Sequence, residues 1–137
     1  FKGSNFYGLL DETETKTYRR TIYRFMPRGG RNPFLDTFDC PDPSVTAPKR
    51  ATTITPLQAL SLMNNSLVFA MADDFAWRVQ RDAGDAVNRQ IRLVYEMAYG
   101  READDSEVEL GASFAVTHGL ASFCRVILNS NEFLYLR

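Results

Sequence analysis

A chain of 137 residues with 45% hydrophobic content can bury roughly two-thirds of its unfolded surface and hold a core without staples. The formal net charge of −1 provides no overall field for nucleic acid or an anionic membrane, although Arg19, Arg20, Arg24, Arg28 and Arg31 crowd the N-terminal third. No stretch reads as a signal peptide or a membrane span, and the opening "FKGSNFYG" reads as a piece excised from something longer.

In chain order, residues 1–11 form a polar, glycine-punctuated arm. "ETETKTYRRTIYRF", residues 12–25, starts in acids and ends in arginines, which complements a helix dipole. A helix is expected there, with Tyr18, Ile22 and Phe25 as its apolar stripe. From 27 to 55 the prolines Pro27, Pro33, Pro41, Pro43 and Pro48 exclude a helix running through and disfavour a central strand. Phe34, Leu35, Phe38 and Val45 nevertheless give this stretch something to bury, so an ordered, proline-rich strap lying across the helices is expected.

"TPLQALSLMNN" carries a strong helix start: Thr55 as N-cap, Pro56 in the first turn and Gln58 completing a capping box. Leu57, Leu60 and Met63 are expected to face the core. A break at Asn64 to Ser66 precedes a helix with Val68, Ala72, Phe75, Ala76 and Val79 at helical spacing, unless the two run together as one. Gly84 is its expected stop, and Asp85 the expected cap of the next helix, whose stripe is Val87, Ile91, Val94, Tyr95 and Ala98. Asp104 and Glu107 form a second capping box, with Gly119 closing that helix. The last helix buries Leu120, Phe123, Cys124, Ile127 and Leu128 before a polar elbow at 129–132. No stretch alternates long enough for a strand. The expected fold is all-α: five to six helices in an irregular bundle with the strap, residues 1–137 forming one domain.

The succession "RRTIYRF", "FLDTFDCPDPS", "KRATTITPLQALSLMNN", "YGRE" and "ILNSNEFLYL" resembles a family of planctomycete domains of unknown function, over the stretch from about Arg19 to the end. The resemblance implies the C-terminal portion of an exported, cell-envelope protein, with a cytochrome-c-like haem domain elsewhere in the same polypeptide as a neighbour. It implies no established activity. No haem attachment motif is present, since His118 is the sole histidine and no cysteine pair precedes it.

Among candidate sites, Asp36, Asp39 and Asp42 recur every three residues in the strap. They suit three readings: a calcium site, general acid–base chemistry, or clasps that cap turns and pair with Arg28, Arg31 or Arg50. The elbows containing Asn64 and Asn65, and Asn129, Asn131 and Glu132, stitch open helix ends, or line a polar pocket if they meet. His118 sits where a cationic or capping histidine is expected at a helix C-terminus. Cys40 and Cys124 allow a disulfide or two thiols. No GxSxG, HExxH or phosphate-cradling loop occurs. The leading functional reading is a non-catalytic interaction module, with neighbouring domains or envelope polysaccharide as partners and no nucleic acid. The alternatives are a carbohydrate-active or metal-assisted enzyme built on the acidic strap, and a binder of sulfated polysaccharide through Arg20, Arg24, Arg28 and Arg31.

Overall fold

The computed structural model describes residues 18–23, 32–42, 45–49 and 53–135, and among these the fold is all-α, with seven α-helices and no strand. Five of the helices have seven residues or more, in line with the count expected from sequence. The chain divides into two compact units, Phe1–Leu67 and Val68–Arg137.

In the first unit the helix expected over 12–25 is described only at 18–23. There it amounts to a single 3-10 turn, Thr21–Tyr23, preceded by irregular backbone. The β-branched pair Thr21 and Ile22 resists helical χ1 crowding. Tyr18, Ile22 and Tyr23 are all exposed, so this part of the expected stripe buries nothing. The strap, in turn, is not wholly irregular: it contains a short helix, α1, Pro33–Thr37. Pro33 stands at its first position, where a missing N–H costs nothing, and the Asn32 side chain accepts from the Leu35 N–H at 3.1 Å. Phe34 and Phe38, one turn apart, place their rings 5.0 Å apart. The helix ends where Asp39 takes a left-handed φ of 57°.

Helix α2, Pro56–Asn64, has the capping box expected from Thr55 and Gln58: Thr55 Oγ1 accepts from the Gln58 N–H and Gln58 Oε1 accepts from the Thr55 N–H. Its burial differs from expectation. Leu57, Leu60 and Met63 are exposed, and the buried residue of α2 is Gln58. The helix stops at Asn65, whose extended backbone separates it from α3, Ser66–Ala83, so the two are not continuous.

The second unit has the apolar core. Ala72, Ala76 and Val79 of α3 pack with Ile91 and Val94 of α4, Val87–Tyr99, with Val108 and Ala115 of α5, Asp105–His118, and with Leu120, Phe123, Cys124 and Ile127 of α6, Leu120–Leu128. In α3, α4 and α6 these are the stripes that the periodicity predicts. Helix α5 crosses close to its neighbours at Gly111, where a Cβ would meet Ile91 Cγ2 at 2.9 Å and Phe123 Cζ at 3.0 Å. Gly84 and Gly100 adopt left-handed φ of 72° and 69° beyond the ends of α3 and α4. Asp85 is not the cap of α4: Ala86 occupies that position without a side-chain bond. The buried Gln90 instead donates through Nε2 to the Gly84 carbonyl at 2.6 Å, bracing the turn from inside the helix. A four-residue helix, α7, Asn131–Leu134, ends the described chain and buries no residue. No helix among the described residues is long and apolar enough to cross a membrane.

Candidate functional site

The residues that the second unit gathers most tightly lie around Arg101, at the junction of α4, α5 and α7. The left-handed turn at Gly100 sends the chain back along α4, so that the Arg101 guanidinium lies over the Tyr95 and Tyr99 rings, at 5.3 and 5.5 Å from their centroids. Those rings are one helical turn apart and meet edge-on, at 5.3 Å. All five N–H groups of the guanidinium find acceptors. Nη1 and Nη2 donate to Glu107 at 2.8 and 2.7 Å, Nε and Nη2 donate to Glu132 at 2.6 and 3.0 Å, and Nη1 also donates to the Glu102 carbonyl at 3.0 Å. Two carboxylates are thus held in bidentate fashion by one arginine.

Each acid has a second task. Glu107 Oε2 accepts from the Asp104 N–H at 2.9 Å, closing the expected capping box of α5, while Asp104 Oδ1 accepts from the Glu107 N–H at 2.7 Å. Glu132 lies in α7, whose N-cap Ser130 accepts from the Phe133 N–H. The Ser130 hydroxyl also accepts from Tyr99 Oη at 2.8 Å and donates to the Ile127 carbonyl at 2.8 Å. The junction therefore joins the end of one helix, the start of the next and the terminal elbow.

Its electrostatics are those of a closed ion cluster. Hydrogen bonds from Arg101 hold both Glu107 and Glu132 below the ordinary glutamate range, and the Glu107 N–H does the same for Asp104. The two carboxylates keep the guanidinium firmly protonated. Partial burial raises both Tyr95 and Tyr99. A general acid at neutral pH needs a carboxyl whose pKa is raised by an apolar wall. The shifts here run the other way.

The acids of the strap answer to a different geometry. Asp39 accepts from the Thr53 N–H at 2.7 Å and from Thr53 Oγ1 at 2.9 Å, and Gln58 Nε2 donates to that same hydroxyl at 3.1 Å. The carboxylate is a clasp closing the strap onto the start of α2, with Thr53 as its described partner. Asp36 lies in the first turn of α1, and the Asp42 carbonyl accepts from the Val45 N–H at 3.3 Å. Among the described residues no group of three or more His, Cys, Asp or Glu side chains is placed to hold a metal ion, and Asp36, Asp39 and Asp42 form no such group. Arg24, Arg28, Arg31 and Arg50 lie outside the described residues.

The described bonds of the asparagines stitch helix ends. Asn64 Nδ2 donates to the Leu60 carbonyl, Asn65 Oδ1 accepts from the Leu67 N–H, and Asn129 Nδ2 donates to the Arg125 carbonyl. Asn131 is the first residue of α7. His118, in the last turn of α5, is exposed and sets its ring 4.7 Å from that of Phe114. Cys40 and Cys124 are both free thiols, and burial pushes the Cys124 thiol up to about 12. Sequence reasoning placed Glu132 in a polar cluster but missed Arg101, Tyr95 and Tyr99 as its partners. The available signal was an arginine directly after a helix-ending glycine, followed by the N3 glutamate of a capping box.

No curated protein and no solved structure matches the chain. A family profile does, over residues 4–115; it begins upstream of the resemblance read from sequence and stops within α5, before the terminal elbow. With most of its length inside that match, the chain belongs to the PSD1 family of proteins of unknown function (DUF1553).

Proposed function

We propose that this chain is a non-catalytic helical module that serves interactions within a larger exported protein. The observation that carries the reading is the saturation of Arg101. The second unit's main charged cluster spends four guanidinium donors on its own acids and the fifth on the Glu102 carbonyl, and those acids are held ionised, with no proton to give at neutral pH. The cluster orders helix ends; it does not poise a group for chemistry. The exposed apolar residues Leu57, Leu60 and Met63 on α2 support a surface that meets other protein. The sequence resemblance supports a planctomycete, cell-envelope setting, with a haem domain of the same polypeptide as the natural neighbour.

The test is a pair of assays on the full chain. Titration against the separately produced neighbouring domains of its parent polypeptide, followed by calorimetry, is expected to give saturable binding. Chromogenic glycoside, ester and phosphate substrates are expected to give no turnover above buffer. Hydrolysis abolished by Asp39→Asn or by Glu132→Gln would overturn the reading in favour of an acid-based enzyme.

A further inference from the structure

The terminal elbow is attached in an unusual way for a packed helix. Helix α7 buries no residue, and Phe133 is exposed. Its described links to the rest of the unit include the Glu132 carboxylate on Arg101 and the Ser130 hydroxyl beneath Tyr99 Oη. The Arg101 and Glu132 side chains are 40% and 47% exposed, so this ion pair sits in high dielectric and exchanges readily.

The seat, by contrast, stands without the elbow. Glu107 holds one edge of the guanidinium through Nη1 and Nη2, and the Tyr95 and Tyr99 rings support its face. Withdrawing Glu132 would leave the Nε–Nη2 edge aimed outward in the fork geometry that matches a carboxylate, with the Tyr99 hydroxyl beside it.

We propose that Arg101, Tyr95 and Tyr99 form a carboxylate-receiving site which the chain's own Glu132 fills as an internal occupant, and that its external ligand is an acidic peptide segment of the same pattern. That pattern is a hydroxyl residue followed two positions later by a glutamate and then an aromatic residue, as in Ser130, Glu132 and Phe133. The elbow then acts as a latch: intramolecular Glu132 competes at high effective concentration and keeps the site shut to weak ligands. A partner carrying the pattern displaces it and takes both the arginine edge and the tyrosine hydroxyl. The inference rests on the interaction-module reading by naming one partner chemistry for it.

The probe is the peptide NSNEFLY, the sequence of residues 129–135, with NSNQFLY as its control. Fluorescence anisotropy with full chain is expected to show binding to Glu132→Gln at least about tenfold tighter than to the unaltered chain, because the internal competitor is gone. The control peptide is expected to bind the variant at least about tenfold more weakly than NSNEFLY, because a neutral amide forfeits the charged fork. Tyr99→Phe in the Glu132→Gln background is expected to weaken NSNEFLY a few-fold. Equal binding by both chains, equal binding by both peptides, or no binding at all would each overturn the proposal. Should Glu132→Gln not fold, the amide resonance of Phe133 in the unaltered chain supplies the readout. It is expected to move on adding NSNEFLY and not NSNQFLY, and an unmoved resonance overturns the latch. Failure here leaves the interaction-module reading intact, which is decided separately by the domain titration and by turnover.

Discussion

The two units bury different chemistry. Among the described residues of the first, the buried side chains are Asn32 and Gln58, each a polar group that caps or braces a helix start, while Leu57, Leu60 and Met63 face solvent. The second buries Val79, Ile91, Val94 and Cys124 without measurable exposure and surrounds them with further apolar side chains. The first unit is thus organised by directional bonds: Asn32 to the Leu35 N–H, Thr55 and Gln58 to each other, Asp39 to Thr53. The second is organised by non-directional burial, with many of its side-chain hydrogen bonds gathered at its helix ends. Hydrogen bonds contribute little net stability each, because water competes for them, whereas apolar burial sums over area. The contrast predicts that stability resides in the second unit and that local geometry, more than stability, resides in the first.

The sharpest test compares two leucine-sized truncations. Ile91→Ala removes a fully buried side chain at the meeting point of α4, α5 and α6 and is expected to cost about 2–5 kcal/mol in denaturant unfolding. Leu60→Ala removes an exposed one and is expected to change stability by no more than about 0.5 kcal/mol. Comparable losses from the two would break the comparison, since they would mean that α2 hides a core of its own.

A smaller effect is expected from Gly111→Ala. The added methyl would lie 2.9 Å from Ile91 Cγ2 and 3.0 Å from Phe123 Cζ, both on buried residues with no solvent to move into. Overpacking of this kind costs about 1–3 kcal/mol, against which the better helix propensity of alanine returns at most about 1 kcal/mol. A net loss in thermal or denaturant unfolding is expected, smaller than that of Ile91→Ala. A gain in stability would show that the helices can part at this crossing.

Thr55→Ala tests the first unit on its own terms. Loss of the Oγ1 acceptor leaves the Gln58 N–H without its cap, with an expected cost of about 1 kcal/mol. The cost is expected to appear as faster hydrogen exchange at the start of α2, with the amides of α4 and α5 unchanged. Slowed or unchanged exchange in α2 would show that the cap does not hold the helix.

What was legible in the sequence follows from the same division. The stripes of α3, α4 and α6 could be read because burial on one helix face imposes a 3.6-residue period, and Ile91, Val94, Phe123 and Ile127 fall where that period places them. Both capping boxes could be read because they are local, the bonded groups lying three residues apart. The same period misled at α2, where Leu57, Leu60 and Met63 form a stripe that the fold leaves exposed; periodicity reports a face, not what covers it. Asp85 failed as a cap because the turn after Gly84 runs one residue further and Ala86, which has no side-chain acceptor, takes the cap position. Arg101 escaped because its partners at 107 and 132 are separated in sequence, and no local rule links an arginine to a glutamate 31 positions away. The short α1 was concealed by prolines that do exclude a continuous helix but leave room for one that begins at Pro33.

The smallest effect concerns the elbow, a part of the second unit held in the manner of the first. Hydrogen bonds from Arg101 lower the pKa of Glu132 and Glu107 in the folded state. A carboxyl with a depressed folded pKa contributes stability that is complete above its unfolded value, about 4.3 for glutamate, and that is lost as pH falls through the lower folded value. The unaltered chain is therefore expected to melt slightly above Glu132→Gln at pH 7, with the gap narrowing below about pH 5 and closing as the folded carboxyls take up protons. Because the Arg101 and Glu132 side chains are 40% and 47% exposed, solvent screens the pair, and added salt is expected to narrow the gap at pH 7 as well. A gap that persisted undiminished into acid would mean that the variant's loss comes from packing of the elbow and not from its charge. The elbow would then belong with the buried core, and the distinction between a unit held by area and a terminus held by charge would fail at the place where it is most easily measured.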